Sequence, residues 1–172
     1  MSEMQKSDML AFIITFAIVL LDQVTKYFVV MHIPINAEVD FIPFFINLTH
    51  VKNKGASFGM FADYRWVFMV FSTFAIIAII IFLIKHSKRH LLLTVSLSFI
   101  LGGGIGNMLD RVFRTEVVDF FRFTFVEFAI FNIADMFITF GAILLGIYII
   151  FYEKTEVKKE DGNSDENSNL TE

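Results

Sequence analysis

Trp66 to Ile84 is a run of 19 residues without a charge. As a helix it extends about 28 Å at 1.5 Å per residue, close to the hydrocarbon thickness of a bilayer. Three further stretches approach or exceed spanning length: Met9–Val30, interrupted by Asp22, Gln23 and Lys26; Leu91–Leu109, softened by Thr94, Ser96, Ser98 and four glycines; and Phe128–Phe151. With 56% hydrophobic residues and 23 Phe in 172, the chain is too apolar for an ordinary soluble domain and fits an integral membrane protein. The expected fold is an α-helical membrane protein with four transmembrane helices, at about 9–30, 66–84, 91–109 and 128–151, in a single membrane-embedded domain over residues 1–152. The first segment lacks a clear basic flank, since Lys6 is matched by Glu3 and Asp8, and no small-residue cleavage site follows Leu21. It reads as a retained helix rather than a signal peptide.

The loops set the expected orientation. Lys85–His90, KHSKRH, is the densest basic loop and reads as cytoplasmic, which places both termini inside. Loops Met31–Arg65 and Asp110–Glu127 then lie outside. The first of these contains IPINAEVDFIPFFINLTHV, with two prolines, aromatics and β-branched residues, a composition suited to short strands or an interfacial platform. The net charge of -4 belongs to residues 153–172, which hold seven acids and three lysines. This segment has almost nothing apolar to bury and is expected to be a disordered acidic cytoplasmic tail. The balanced remainder gives no basic surface for nucleic acid. Zero Cys excludes a thiolate nucleophile and a Cys-based metal site, no HExxH zinc motif is present, and no metal or other cofactor is expected.

Two acids sit where a charge is hardest to tolerate. Asp135 lies within Phe128–Phe151 and Asp119 within the apolar VVDFF of Val117–Phe121. An ionised carboxylate near the centre of a membrane helix costs about 2.5 kcal/mol or more. A third acid, Asp110, has Arg111 beside it and Arg114 four residues on, so it reads as a structural ion-pair partner. Asp22 and Lys26, also four apart, read as an internal ion pair that also braces or lines a polar site. Asp135 has no basic residue within 12 positions. If Val117–Phe121 is extended, Val117, Asp119 and Phe121 share one face and Arg122 points away. Asn132, Asp135 and Thr139 form a stripe on the fourth helix, with Asp135 about two turns below its external end. Asp119 and Asp135 are therefore the acids expected to share a proton. A carboxylate dyad takes a proton from water and gives one to a carbonyl oxygen, which is peptide hydrolysis without a covalent intermediate. A bell-shaped rate profile belonging to the pair would follow. Gly55 and Gly59, in KNKGASFG, can let backbone amides approach a ligand. Gly102 and Gly106 have the spacing of tight helix packing.

DQVTK (Asp22–Lys26), NKGASFG (Asn53–Gly59), GNMLDR (Gly106–Arg111), VVDF (Val117–Phe120) and FNIAD (Phe131–Asp135) occur in that order. Together they resemble lipoprotein signal peptidase, also called signal peptidase II. The resemblance runs from Asp22 over nearly all of the chain. It implies an aspartyl endopeptidase of the bacterial cytoplasmic (inner) membrane, probed by the antibiotic globomycin. Such an enzyme removes the signal peptide from prolipoproteins just before a diacylglyceryl-modified cysteine, with its active site at the extracytoplasmic face. By matching positions, Asp119 and Asp135 are the catalytic dyad. Asn53, Gly55, Asn107, Arg111 and Asn132 bind substrate or support the site, and Asp22, Lys26 and Asp110 are structural. The outer loop becomes a small extracytoplasmic β-platform with a lid-like element. The expected partners are lipidated prolipoproteins and membrane lipids, with the enzyme a monomer. Ser57 departs from the family's usual alanine, a small residue for a small one. A transporter that binds a cation through intramembrane Asp and Asn would show paired discontinuous helices in matching halves, and none is visible. A purely structural role leaves the convergence of unpaired acids unexplained.

Overall fold

The computed structural model describes residues 3–55, 65–86 and 90–153. Its elements in order are α1 (Glu3–His32), β1 (Glu38–Ile42), β2 (Ile46–Asn53), α2 (Arg65–Lys85), α3 (Leu91–Phe113), β3 (Val117–Phe123) and α4 (Ile133–Tyr148), which continues into a π-helical turn at Ile149–Glu153. Four helical segments, Lys6–His32, Trp66–Lys85, Leu91–Phe113 and Ile133–Tyr152, are long and apolar enough to cross a membrane. Their outward surfaces suit lipid: Phe12, Phe16, Phe71, Phe74 and Ile84 are all exposed. The described residues thus form a multi-pass membrane protein built on four helices and a small sheet. The acidic tail from residue 154, residues 87–89 of the basic loop, Ser57 and Gly59 lie outside the described residues.

Helix α3 is the central one, packed against α1, α2 and α4. Its glycines are where the neighbours come closest. A Cβ on Gly103 would sit 2.4 Å from the Ala134 carbonyl oxygen of α4, and one on Gly106 would sit 2.5 Å from Asp22 Oδ2 of α1. Both are closer than real Cβ atoms approach. The absent side chains let two helices touch α3 on adjacent faces, as small residues do in membrane bundles generally.

The outer-loop strands form a three-stranded antiparallel sheet in the order β1-β2-β3. Strand β3 comes from the loop after α3, so the sheet ties two connections together at the end of the bundle where α4 begins. A bulge between Leu48 and Val51 sets Asp119 opposite Val51 and Val117 opposite Asn53. Alternation then sorts β3: Val118 and Phe120 pack on Val29 and Ile33, while Val117, Asp119, Phe121 and Phe123 face a cavity. Arg122 pairs instead with Glu38 of β1.

The fourth apolar run does not all become helix. Phe131 pairs with Phe121 as an antiparallel bridge, and the Phe120 and Phe121 amides both donate to its carbonyl. Helix α4 starts at Ile133, so Asp135 lies in its first turn rather than about two turns in. The shift has a local cause. Asn132 caps the helix, its side chain accepting from the Asp135 amide at 3.0 Å, while Asp135 Oδ2 accepts from the Asn132 amide at 3.1 Å. This reciprocal capping box fixes where the helix begins.

Candidate active site

The cap that starts α4 also places both acids. Because Asn132 Oδ1 is taken by the Asp135 amide, its NH2 group must face the other way. It donates to Asp119 Oδ1 at 2.6 Å and to Asn107 Oδ1 at 3.1 Å. Asn107 in turn donates to Asp135 Oδ1 at 2.8 Å. On the sheet side, the Gly55 amide donates to Asn53 Oδ1 at 2.9 Å, which leaves the Asn53 NH2 to donate to Asp119 Oδ2 at 2.8 Å. Each of the four carboxylate oxygens thus accepts one bond from a group whose own orientation is fixed.

Behind these carboxamides lies a buried ion cluster. The Lys26 ammonium meets Asp22 Oδ2 and Asp110 Oδ2, each at 2.9 Å, and donates to Asn107 Oδ1 at 3.0 Å. Asp22, Lys26 and Asp110 are fully buried. Asp22 Oδ1 also accepts the Ala134 amide at 3.0 Å, and Asp110 Oδ2 the Val118 amide at 3.3 Å. The cluster therefore ties α1 and α3 to the start of α4 and to β3. Gln23 joins it, donating to Asp22, to the Gly106 carbonyl and to Asp110.

Asp119 and Asp135 open onto one cavity of about 820 Å³, together with Asn53, Gly55, Asn107 and Arg111. Away from these polar groups the cavity is lined by Phe68, Ser72, Gly104, Ile138, Thr139 and Phe140 of α2, α3 and α4, and by Phe128 and Phe131. Most of the residues that line it are apolar, and the two acids and their carboxamide partners Asn53 and Asn107 are among its polar groups. Arg111 donates to the Asn107 carbonyl at 3.3 Å and lies 5.9 Å over the Phe68 ring, so its guanidinium is held at the cavity wall.

Burial, and after it the nearby charge of Asp135, together raise the Asp119 carboxyl to about 7 against the opposing hydrogen bonds from Asn53 and Asn132 and the charge of Lys26. Asp119 thus keeps its proton up to near neutral pH while a second carboxyl stands beside it.

The signal peptidase II family profile matches residues 14–151. The chain belongs to the signal peptidase II family. It is 40% identical over 135 residues to a lipoprotein signal peptidase of Streptococcus agalactiae, covering 78% of this chain and 88% of that protein. With the lipoprotein signal peptidase of Symbiobacterium thermophilum it shares 37% identity over 148 residues, 85% of this chain and 97% of that one. A bacterial membrane enzyme structure solved at 2.3 Å superposes with a TM-score of 0.77 at 36% identity, covering 87% of this chain and 92% of the other. As a signal peptidase II the protein is an enzyme, a peptidase of the aspartic type.

Within this signal peptidase II, the residues picked out by sequence fall into three layers. Asn53, Gly55, Asn107, Arg111, Asp119 and Asp135 line the cavity. Asn132 is fully buried behind the two acids it joins, and Asp22, Lys26 and Asp110 form the ion cluster beyond. The structure adds to two readings. Asp110 pairs with Arg114 at 3.7 Å, as its spacing implies, and more closely with Lys26 at 2.9 Å. The acids are also less remote from cations than local sequence implies, because Lys26 and Arg111 arrive from α1 and α3. Gln23, Phe68, Ser72 and Gly104 were not singled out for the site. The only sequence signal for Gln23 was its place among the polar residues that interrupt the first apolar run.

Proposed function

We propose that this protein removes the signal peptide from prolipoproteins by hydrolysing the peptide bond just before a diacylglyceryl-modified cysteine, with Asp119 and Asp135 as the catalytic dyad. The observation that carries the reading is that two carboxyls, Asp119 buried and Asp135 half-buried, are held by a shared asparagine and open onto one mostly apolar cavity. The apolar lining suits the hydrophobic signal segment and acyl chains, and the polar groups around the dyad suit the scissile bond.

The roles of the two acids follow from their settings. Asp135 lies in the first turn of α4, where its Oδ2 accepts the Asn132 amide and its Oδ1 accepts from the Asn107 side chain. It is the base. Asp119, kept protonated by burial beside a second acid, is the acid. Water attacks the carbonyl carbon and passes a proton to Asp135, while Asp119 gives its proton to the carbonyl oxygen. The resulting diol collapses as the C–N bond breaks: the departing amine takes the proton held by Asp135, one diol hydroxyl returns its proton to Asp119, and the new carboxyl group leaves with the dyad restored. Arg111, Asn53 and Gly55 orient the substrate backbone near the dyad. The enzyme sits as a monomer in the cytoplasmic membrane as one membrane-embedded domain, both termini inside, with the dyad and the sheet at the extracytoplasmic end.

The test is cleavage of a synthetic prolipoprotein by the purified enzyme, with and without the diacylglyceryl group, read by mass spectrometry. The expected products are a free signal peptide and a chain that begins with the lipidated cysteine. Equal cleavage of the unlipidated chain, or a cut at another bond, would contradict the proposal.

A further inference from the structure

We infer that Lys26 is a positioning residue for the reaction, acting through Asn107, and not only a counter-ion for the buried acids. The inference rests on the dyad reading above. An ammonium has three protons to donate and no acceptor. Here the three acceptors are Asp22 Oδ2, Asp110 Oδ2 and Asn107 Oδ1, at 2.9, 2.9 and 3.0 Å. The two carboxylates already more than balance its charge, so charge alone does not call for the third contact. The third contact is directional. A carboxamide has an oxygen face and an NH2 face, and a group that can only donate must meet the oxygen. Asn107 therefore turns its NH2 toward Asp135, to which it donates at 2.8 Å. Reversed, Asn107 would set its oxygen against the Asp135 carboxylate and lose the bond from Asn132. Among the described residues Lys26 is the charged donor to that oxygen, and it is fully buried. A lysine from α1, 81 positions away from Asn107, thus fixes how a residue of α3 presents itself to the base on α4.

Lys26→Met alone leaves Asp22 and Asp110 buried without a cation and is expected to compromise folding. The informative variant is Lys26→Met combined with Asp22→Asn and Asp110→Asn. It removes the acids along with the cation, and the new carboxamides still accept from the Ala134 and Val118 amides. If Lys26 positions Asn107, this triple variant unfolds at the wild-type temperature and keeps its KM for a lipidated peptide, but loses about 10- to 100-fold in kcat. On an Asn107→Leu background the same three changes lower kcat no further, because the residue through which Lys26 acts is already gone. Wild-type kcat in the triple variant, or a change in KM alone, would overturn the inference. So would failure of the triple variant to fold, which would show that the Lys26 charge serves the fold even without its acids. Asp119→Asn is measured alongside. If it stays active the dyad reading itself is wrong; if it is inactive while the triple variant is normal, only the role of Lys26 is withdrawn.

Discussion

Asn in place of Asp119 or of Asp135 is expected to abolish cleavage while the folded protein still inserts into the membrane. Asn matches Asp in shape and removes only the ability to lose or give a proton. At position 119 it keeps one oxygen to accept from Asn53 or Asn132; at position 135 it keeps one to accept from the helix cap. Each substitution removes a proton-transfer group from the reaction, a loss of about 10²–10⁴-fold or more in kcat. Asp110→Asn provides the contrast. Asp110 is fully buried, but it faces Lys26 and the Val118 amide and lies outside the cavity lining. Its substitution should lower the unfolding temperature and leave kcat of the folded fraction near wild type. The check is kcat on a lipidated peptide together with thermal unfolding in the same detergent. Full activity in either dyad variant would refute the dyad. An inactive but well-folded Asp110→Asn would refute the ranking of the three acids.

Gly103→Ala is expected to lower stability and turnover together. Its new Cβ would lie 2.4 Å from the Ala134 carbonyl oxygen and 2.8 Å from Ile138 Cγ1. The first of these is backbone and cannot swing aside, so α3 and α4 must separate. Overpacking of this kind costs about 1–3 kcal/mol. Ala134 immediately precedes Asp135, and its amide is held by Asp22, so the displaced helix carries the base with it. A shift of about 1 Å at a reacting group lowers kcat by about 10²-fold. Gly146→Ala is the matched control. Nothing lies within 4 Å of a Cβ there, and a helical Gly→Ala change at such a site stabilises by about 0.5–1 kcal/mol. The unfolding temperature should fall in Gly103→Ala and rise in Gly146→Ala, and only Gly103→Ala should lose kcat. A Gly103→Ala enzyme that unfolds at the wild-type temperature would show that the contact is not as tight as described.

What the chain discloses before folding depends on how local the cause is. The spans could be read because Trp66–Ile84 and its companions satisfy the bilayer by composition alone. The face of β3 that carries Asp119 could be read because alternation is local. The start of α4 could not, since Phe128–Phe131 are apolar enough for a span and are drawn out of the helix by pairing with β3. Asp22 and Lys26 show their pairing by spacing, but nothing near Lys26 in sequence announces Asp110 or Asn107. Those contacts exist because Gly106 lets α1 approach α3. Long-range polar contacts of this kind leave no periodic trace, so spacing reveals the Asp110–Arg114 pair but neither the Lys26–Asp110 pair nor the contacts of Gln23. The acids themselves stood out because an apolar setting makes a charge conspicuous, and the ordered motifs around them supplied the family.

The central claim is that Asp119 holds the proton of a working dyad, and the pH dependence of kcat/KM on a lipidated peptide tests it most directly, because that ratio reports on the free enzyme. Burial and the neighbouring acid raise the Asp119 carboxyl to about 7. Below that pH it is protonated and can donate; above it the proton, and with it the acid, is lost. The account predicts a rate that falls as pH rises through about 7. A kcat/KM that stays flat from about pH 5 to about pH 9 would contradict it.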